Sequence, residues 1–141
     1  MKTRIPTEAD TIALSRNLAR TLTPHCAVLL HGPLGSGKTT FARALIQTLL
    51  GRDETVPSPS FTLLETYEWN NTIISHYDLY RIKNADEISE LGLDDALSRG
   101  LTIIEWPGMV EEYIASRLKT IHIYFSYNAD GRIAEIIEAD A

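Results

Sequence analysis

The residues best placed to do chemistry lie in one short run, Gly32-Pro33-Leu34-Gly35-Ser36-Gly37-Lys38-Thr39-Thr40. Its spacing is G-x-x-x-x-G-K-[ST], with Gly32, Gly37, Lys38 and Thr39 in the fixed positions of a phosphate-binding loop. A triphosphate is a dense anion that converging backbone N–H groups can hold. Gly35 and Gly37 let the backbone come close and take conformations that side chains forbid, and Ser36 between them adds its own N–H. A helix starting near Lys38 contributes unpaired N–H groups and the positive end of its dipole. On this reading the Lys38 ammonium bridges the β- and γ-phosphates, the Thr39 hydroxyl ligates Mg²⁺, and Thr40 donates to the α-phosphate.

Such a loop needs an acid at the carboxyl end of a neighbouring strand, to hold the metal ion or its water shell. Asp78, after the run Thr72–Tyr77, and Glu105, after the apolar run Leu101–Ile104, both qualify. Spacing leaves open which of them holds the metal and which orients water. Trp106 stands beside Glu105, where packing, a site role and an interface role are all compatible with the sequence. His31 reads as a packed strand-end residue. His76 precedes Asp78 by two positions and can support it from the same strand face. His25 and His122 carry no pattern, and no His/Cys grouping has metal-ligand spacing. The stiff segment Pro57-Ser58-Pro59-Ser60-Phe61-Thr62 presents three hydroxyls. It reads either as a loop feeding an edge strand or as a switch-like loop that senses the γ-phosphate.

The elements that position these groups follow from local pattern. Ala27–Leu30 reads as a buried strand entering the loop, and Lys38–Leu50 as the helix leaving it, with Gly51 as its C-terminal cap. Thr7–Leu22 reads as a first helix, with Thr7 and Asp10 in a partial capping-box pattern and Leu14, Leu18 and Leu22 on one face. That helix packs the core, or its start covers the nucleotide base. Residues 51–56 form a short polar connection. Phe61–Trp69 and Thr72–Tyr77 are strands joined at Asn70-Asn71. Asn84–Leu91 and Leu93–Ser98 are short helices broken at Gly92, with Asp86, Glu87, Glu90, Asp94 and Asp95 forming a solvated face. Leu101–Ile104 is a second buried strand. Met109–Arg117 is a helix, and Leu118–Tyr127 and Arg132–Ile137 make a final antiparallel hairpin.

The 141 residues are expected to form one domain with a real core. A hydrophobic fraction of 44% and a charged fraction of 23% are those of an ordinary globular protein. No apolar run approaches the roughly 20 residues needed to span a bilayer, and residues 1–6 have no apolar signal region. The single cysteine, Cys26, reads as a small core residue, so a cytoplasmic location without membrane attachment is expected. A net charge of −6, with no Lys/Arg cluster, argues against a direct grip on nucleic acid. The chain lacks the N-K-x-D and D-x-x-G patterns of a GTPase, which favours ATP. A small-molecule kinase would need lid arginines, for which Arg81 and Arg99 are available. A nucleotide-gated binding module, in which hydrolysis is incidental, is a further alternative.

Four blocks occur in order: Gly32-x-Leu34-Gly35-x-Gly37-Lys38-Thr39-Thr40-Phe41, Ser58-Pro59-Ser60-Phe61-Thr62-Leu63, His76-x-Asp78-Leu79-Tyr80-Arg81 and Glu105-Trp106-Pro107. Together they resemble the bacterial tRNA threonylcarbamoyladenosine biosynthesis ATPases, the TsaE (YjeE) family, over residues 5–135. The resemblance implies an α/β, P-loop NTPase-like three-layer fold, its parallel sheet core flanked by antiparallel strands. It implies a weak Mg²⁺-ATPase that acts with the TsaB–TsaD heterodimer. In that machinery TsaD transfers a threonylcarbamoyl group, made as its adenylate by TsaC, to N6 of adenosine 37 in tRNAs reading codons that start with A. The tRNA is then reached only through the complex, which suits the acidic chain. The resemblance puts Lys38 and Thr40 on phosphates, Thr39 on Mg²⁺, Asp78 and Glu105 at the metal and attacking-water positions, and Trp106 as a functional tryptophan. Arg132, after the Asp130-Gly131 turn, approaches the nucleotide. Ser60 stands where threonine is more usual and keeps the hydroxyl. Pro33 and Gly108 replace residues that are commonly acidic.

Overall fold

The alternation of apolar residues along the phosphate-loop strand decides the architecture. In β2 (Ala27–His31), Val28 and Leu30 belong to one buried cluster and Ala27 and Leu29 to another, so both faces of the strand are covered. A computed structural model describes residues 1–51 and 54–141; within the predicted polar connection, Arg52 and Asp53 lie outside the described residues. All its strands form one seven-stranded sheet in the order β1-β7-β6-β2-β5-β4-β3. The central strands β6 (Thr120–Asn128), β2, β5 (Thr102–Glu105) and β4 (Thr72–Asp78) are parallel. The flanking strands β7 (Gly131–Ala139), β1 (Lys2–Arg4) and β3 (Leu64–Trp69) are antiparallel to their neighbours.

Helices cover both faces, giving the expected three layers. On one side α1 (Glu8–Ala19) and α2 (Lys38–Leu50) bury Leu14, Leu18, Phe41 and Leu45 against Val28, Leu30, Ile121 and Ile123. On the other, α3 (Ala85–Glu90), α4 (Leu93–Arg99) and α5 (Glu111–Ala115) bury Ile88, Leu97 and Ile114 against Leu29, Tyr77 and Ile104. Each fully buried aliphatic side chain of this kind contributes about 1.5–3 kcal/mol by transfer from water. Cys26 is buried, as its apolar setting predicts.

Local signals place the element ends well. Thr7 and Asp10 form a complete capping box, Gly51 caps α2 in the left-handed region at φ 71°, and Asn84 and Glu87 form a second capping box on α3. Asn70 and Asn71 both have positive φ, the signature of a type I′ hairpin turn.

Three expectations need correction. First, α1 ends at Ala19 and α5 covers only Glu111–Ala115, each shorter than its apolar pattern suggested. Second, the third strand starts at Leu64 rather than Phe61. The Leu63 N–H donates to the Pro59 carbonyl at 2.7 Å with Leu63 at φ 68°, so residues 59–62 coil into a turn despite their β-forming side chains. Third, β1 has no counterpart in the sequence reading, since its pairing partner lies at the other end of the chain.

The register brings the chemistry to one end of the sheet. Leu30 pairs with Glu105 and Glu105 with Asp78, so the phosphate loop and both candidate acids leave the carboxyl ends of three adjacent parallel strands. Ligands in open α/β sheets gather there.

Candidate functional site

The loop between β2 and α2 takes its shape from its glycines. Gly32, Gly35 and Gly37 have φ of 149°, 75° and 108°. Gly32 is also sterically required, because a Cβ there would lie 2.8 Å from both the Cβ and the carbonyl oxygen of Phe125 and 2.9 Å from Ser36 Oγ. Gly32→Ala is therefore expected to destabilise the fold by about 1–3 kcal/mol, through overpacking against backbone that cannot yield. Urea denaturation followed by circular dichroism measures this, and an unchanged midpoint would show that the loop can absorb the methyl group.

Lys38 opens α2 and is almost wholly buried. Its ammonium donates to the Gly32 carbonyl and, at 2.9 Å, to that of Pro33, and it lies 3.8 Å from the centre of the Trp106 ring. Burial pushes its pKa below the ordinary lysine value, while the Glu105 and Asp78 carboxylates pull it back up. The cation is thus held between an aromatic face and the loop's own carbonyls.

Thr39 and the two acids complete the wall. The Thr39 hydroxyl donates to Glu105 Oε1 at 2.6 Å, and the other oxygen of Glu105 lies 2.7 Å from His76 Nε2. His76 and Glu105 are essentially inaccessible to solvent. Asp78 accepts from the Ser60 hydroxyl at 3.2 Å and from the Tyr80 backbone N–H at 3.0 Å. The turn at residues 59–62 therefore delivers a hydroxyl to an acid of the cleft. Trp106 sits at φ 62°, a left-handed conformation rare for a bulky residue, with its ring 4.8 Å from that of Tyr80.

These groups line a cleft of about 270 Å³ walled by Gly35, Gly37, Lys38, Thr39, Thr40, Asp78, Glu105, Trp106 and Arg132, together with Leu34, Ser60, Tyr80 and Arg81. The structure thus brings Gly35, Gly37, Lys38, Thr39, Thr40, Asp78, Glu105, Trp106 and Arg132 of the sequence-predicted set onto one wall, while Gly32 and Ser36 of the loop lie off it. Ser36 is instead buried beneath the loop, its backbone N–H donating to the Pro33 carbonyl at 3.3 Å and its hydroxyl without a hydrogen-bond partner among the described residues. Arg99, considered above as a lid arginine, pairs with Asp95 at 3.3 Å and borders a separate hollow beside the β3–β4 turn. Tyr80 is the contributor that sequence reasoning missed; its place two residues after a strand-end acid was the available signal. The wall is rich in hard oxygen donors, from Thr39, Asp78 and Glu105, next to a buried ammonium. That donor set fits Mg²⁺ and an anionic phosphate group rather than a soft metal. Among the described residues, no helix is long and apolar enough to cross a membrane.

Comparison with known proteins gives a consistent picture. The family described as "Threonylcarbamoyl adenosine biosynthesis protein TsaE" matches residues 5–134. The tRNA threonylcarbamoyladenosine biosynthesis protein TsaE of Rickettsia felis is 41% identical over 116 residues, which are 82% of this chain and 68% of that protein. The protein of the same name in Bacillus subtilis is 33% identical over 115 residues, 81% of this chain and 71% of that one. Among solved structures, Bacillus subtilis YdiB superposes with a TM-score of 0.74 at 25% identity, covering 100% of this chain and 86% of its own.

Proposed function

Because the chain belongs to the TsaE family, whose role is in tRNA threonylcarbamoyladenosine biosynthesis, we propose that it is a Mg²⁺-dependent ATPase of that pathway. It acts as a single nucleotide-binding domain in the cytoplasm, with the TsaB–TsaD heterodimer, in the modification of adenosine 37 of tRNAs reading ANN codons. The observation that carries this reading is the convergence of Lys38, Thr39, Asp78 and Glu105 on one cleft beside a glycine-shaped loop.

Each residue has a part. The loop amides at Gly35 and Gly37 and the first turn of α2 hold the phosphates. Lys38, now bound to two loop carbonyls, turns to the β- and γ-phosphates, and Thr40 donates to the α-phosphate. Thr39, Asp78 and Glu105 would hold Mg²⁺, and the ion would supply charge neutralisation at the phosphates. His76 fixes the Glu105 carboxylate from behind, and Ser60 fixes Asp78. Trp106 covers the Lys38 ammonium and keeps bulk water from it. Arg132 flanks the loop at Gly37 and adds positive charge for the nucleotide.

The test is steady-state ATP hydrolysis by the chain alone and with TsaB–TsaD added. Slow turnover alone and clear stimulation by the heterodimer are expected. Turnover that stays the same on addition of the partners would overturn the complex-dependent reading.

A further inference from the structure

On the helix-covered face of the sheet opposite α1 and α2, three side chains that share no sequence motif meet. His31 ends β2, His122 lies on β6 and Glu111 starts α5. His31 Nε2 is 3.1 Å from His122 Nδ1, His31 Nε2 is 3.9 Å from Glu111 Oε1, and His122 Nδ1 is 3.5 Å from the same oxygen. We propose that these three residues form a zinc-type metal site, separate from the phosphate-loop cleft. Spacing along the chain held no sign of it, because parallel pairing of β2 with β6 brings the two histidines together.

The triangle has the size a metal requires. A point equidistant from atoms 3.1, 3.5 and 3.9 Å apart lies about 2.1 Å from each, the length of a zinc–imidazole bond. Two imidazoles and one carboxylate are a donor set of intermediate softness, suited to Zn²⁺ and unlike the all-oxygen wall of the cleft. The supports are also in place. Thr120 Oγ1 lies 3.2 Å from His122 Nε2, so the hydroxyl can accept its N–H and leave Nδ1 free to ligate. The Tyr124 ring stacks on both imidazoles, at 4.4 Å from His31 and 5.9 Å from His122. Without a metal ion, one of the two facing histidine nitrogens must carry a proton to make their contact; an ion replaces that proton. Glu111 is about a third exposed, which leaves access for entry and for water as a fourth ligand.

The placement gives such an ion a consequence. His31 immediately precedes Gly32, and α5 follows the Glu105-Trp106-Pro107 segment. A bound ion would tie the start of the phosphate loop to the chain that carries Trp106. The experiment is equilibrium dialysis of the tag-free full chain against ZnCl₂ in saturating Mg²⁺ and ATP, with bound zinc counted by mass spectrometry and CoCl₂ as a spectroscopic stand-in. Wild type is expected to retain one zinc per chain and to give the visible bands of tetrahedral cobalt. Glu111→Gln and His122→Gln should each lower zinc affinity by about 100-fold or more, and Thr120→Val by about 10-fold. Glu111→Gln changes a partly exposed helix residue, so it serves even where His122→Gln fails to fold. Glu105→Gln should retain zinc, since it alters only the cleft. Substoichiometric zinc in wild type, equal retention by Glu111→Gln, or loss of zinc from Glu105→Gln instead, would each overturn the site.

Discussion

Lys38→Ala is expected to lower MgATP affinity by about 100-fold or more and to bring hydrolysis to background, with or without TsaB–TsaD. The size follows from what the ammonium does. A hydrogen bond to a charged group is worth about 1.5–3 kcal/mol, and bridging two phosphates uses more than one. The loss should also fall more heavily on ATP than on ADP, because the γ-phosphate exists only in the former. Removing Lys38 has a cost in the free protein as well. It leaves the Gly32 and Pro33 carbonyls without their partner and the Trp106 ring without its cation. Calorimetric titration with ATP and with ADP, beside thermal unfolding of the nucleotide-free variant, separates the two effects. A variant that unfolds like wild type yet binds both nucleotides as tightly would remove Lys38 from the site.

Local chemistry in the sequence was enough to place the phosphate loop, α2 with its Gly51 cap, the Thr7–Asp10 capping box and the Asn70-Asn71 turn, because each rests on residues within a few positions of one another. The strand-end rule likewise found Asp78 and Glu105. What it could not rank was their surroundings. Glu105 meets Thr39 and His76 only because β4, β5 and β2 align in parallel at a particular register, and that register is a property of the packed sheet. The same reason hid the meeting of His31, His122 and Glu111, and hid β1, whose partner is β7. At residues 61–63 the reading failed differently. A run of β-forming side chains was overridden by a turn whose Leu63 takes positive φ, and that turn sets Ser60 against Asp78. Propensity lost there to a contact that only the assembled cleft supplies.

Glu105→Gln separates hydrolysis from binding. Glutamine keeps the volume of the buried side chain and can still hydrogen-bond to Thr39 and His76, so the fold and the loop should stand. It removes one negative charge from the cleft. ATP binding should therefore persist, since repulsion of the phosphates by Asp78 and Glu105 is reduced, whereas the carboxylate's work on metal and water is lost. Turnover is expected to fall by about 10²–10⁴-fold, the range for a positioned acid–base group. This variant also decides between an ATPase cycle and a nucleotide-gated binding module. In the first, a chain that binds ATP without hydrolysing it leaves the TsaB–TsaD complex in one state, and modification stops after the first round. In the second, binding alone suffices and modification continues. Counting threonylcarbamoyladenosine formed per complex, with tRNA in excess, gives the answer: about one per complex supports the hydrolytic cycle, and many per complex would show that nucleotide occupancy, and not cleavage, is what this cleft supplies.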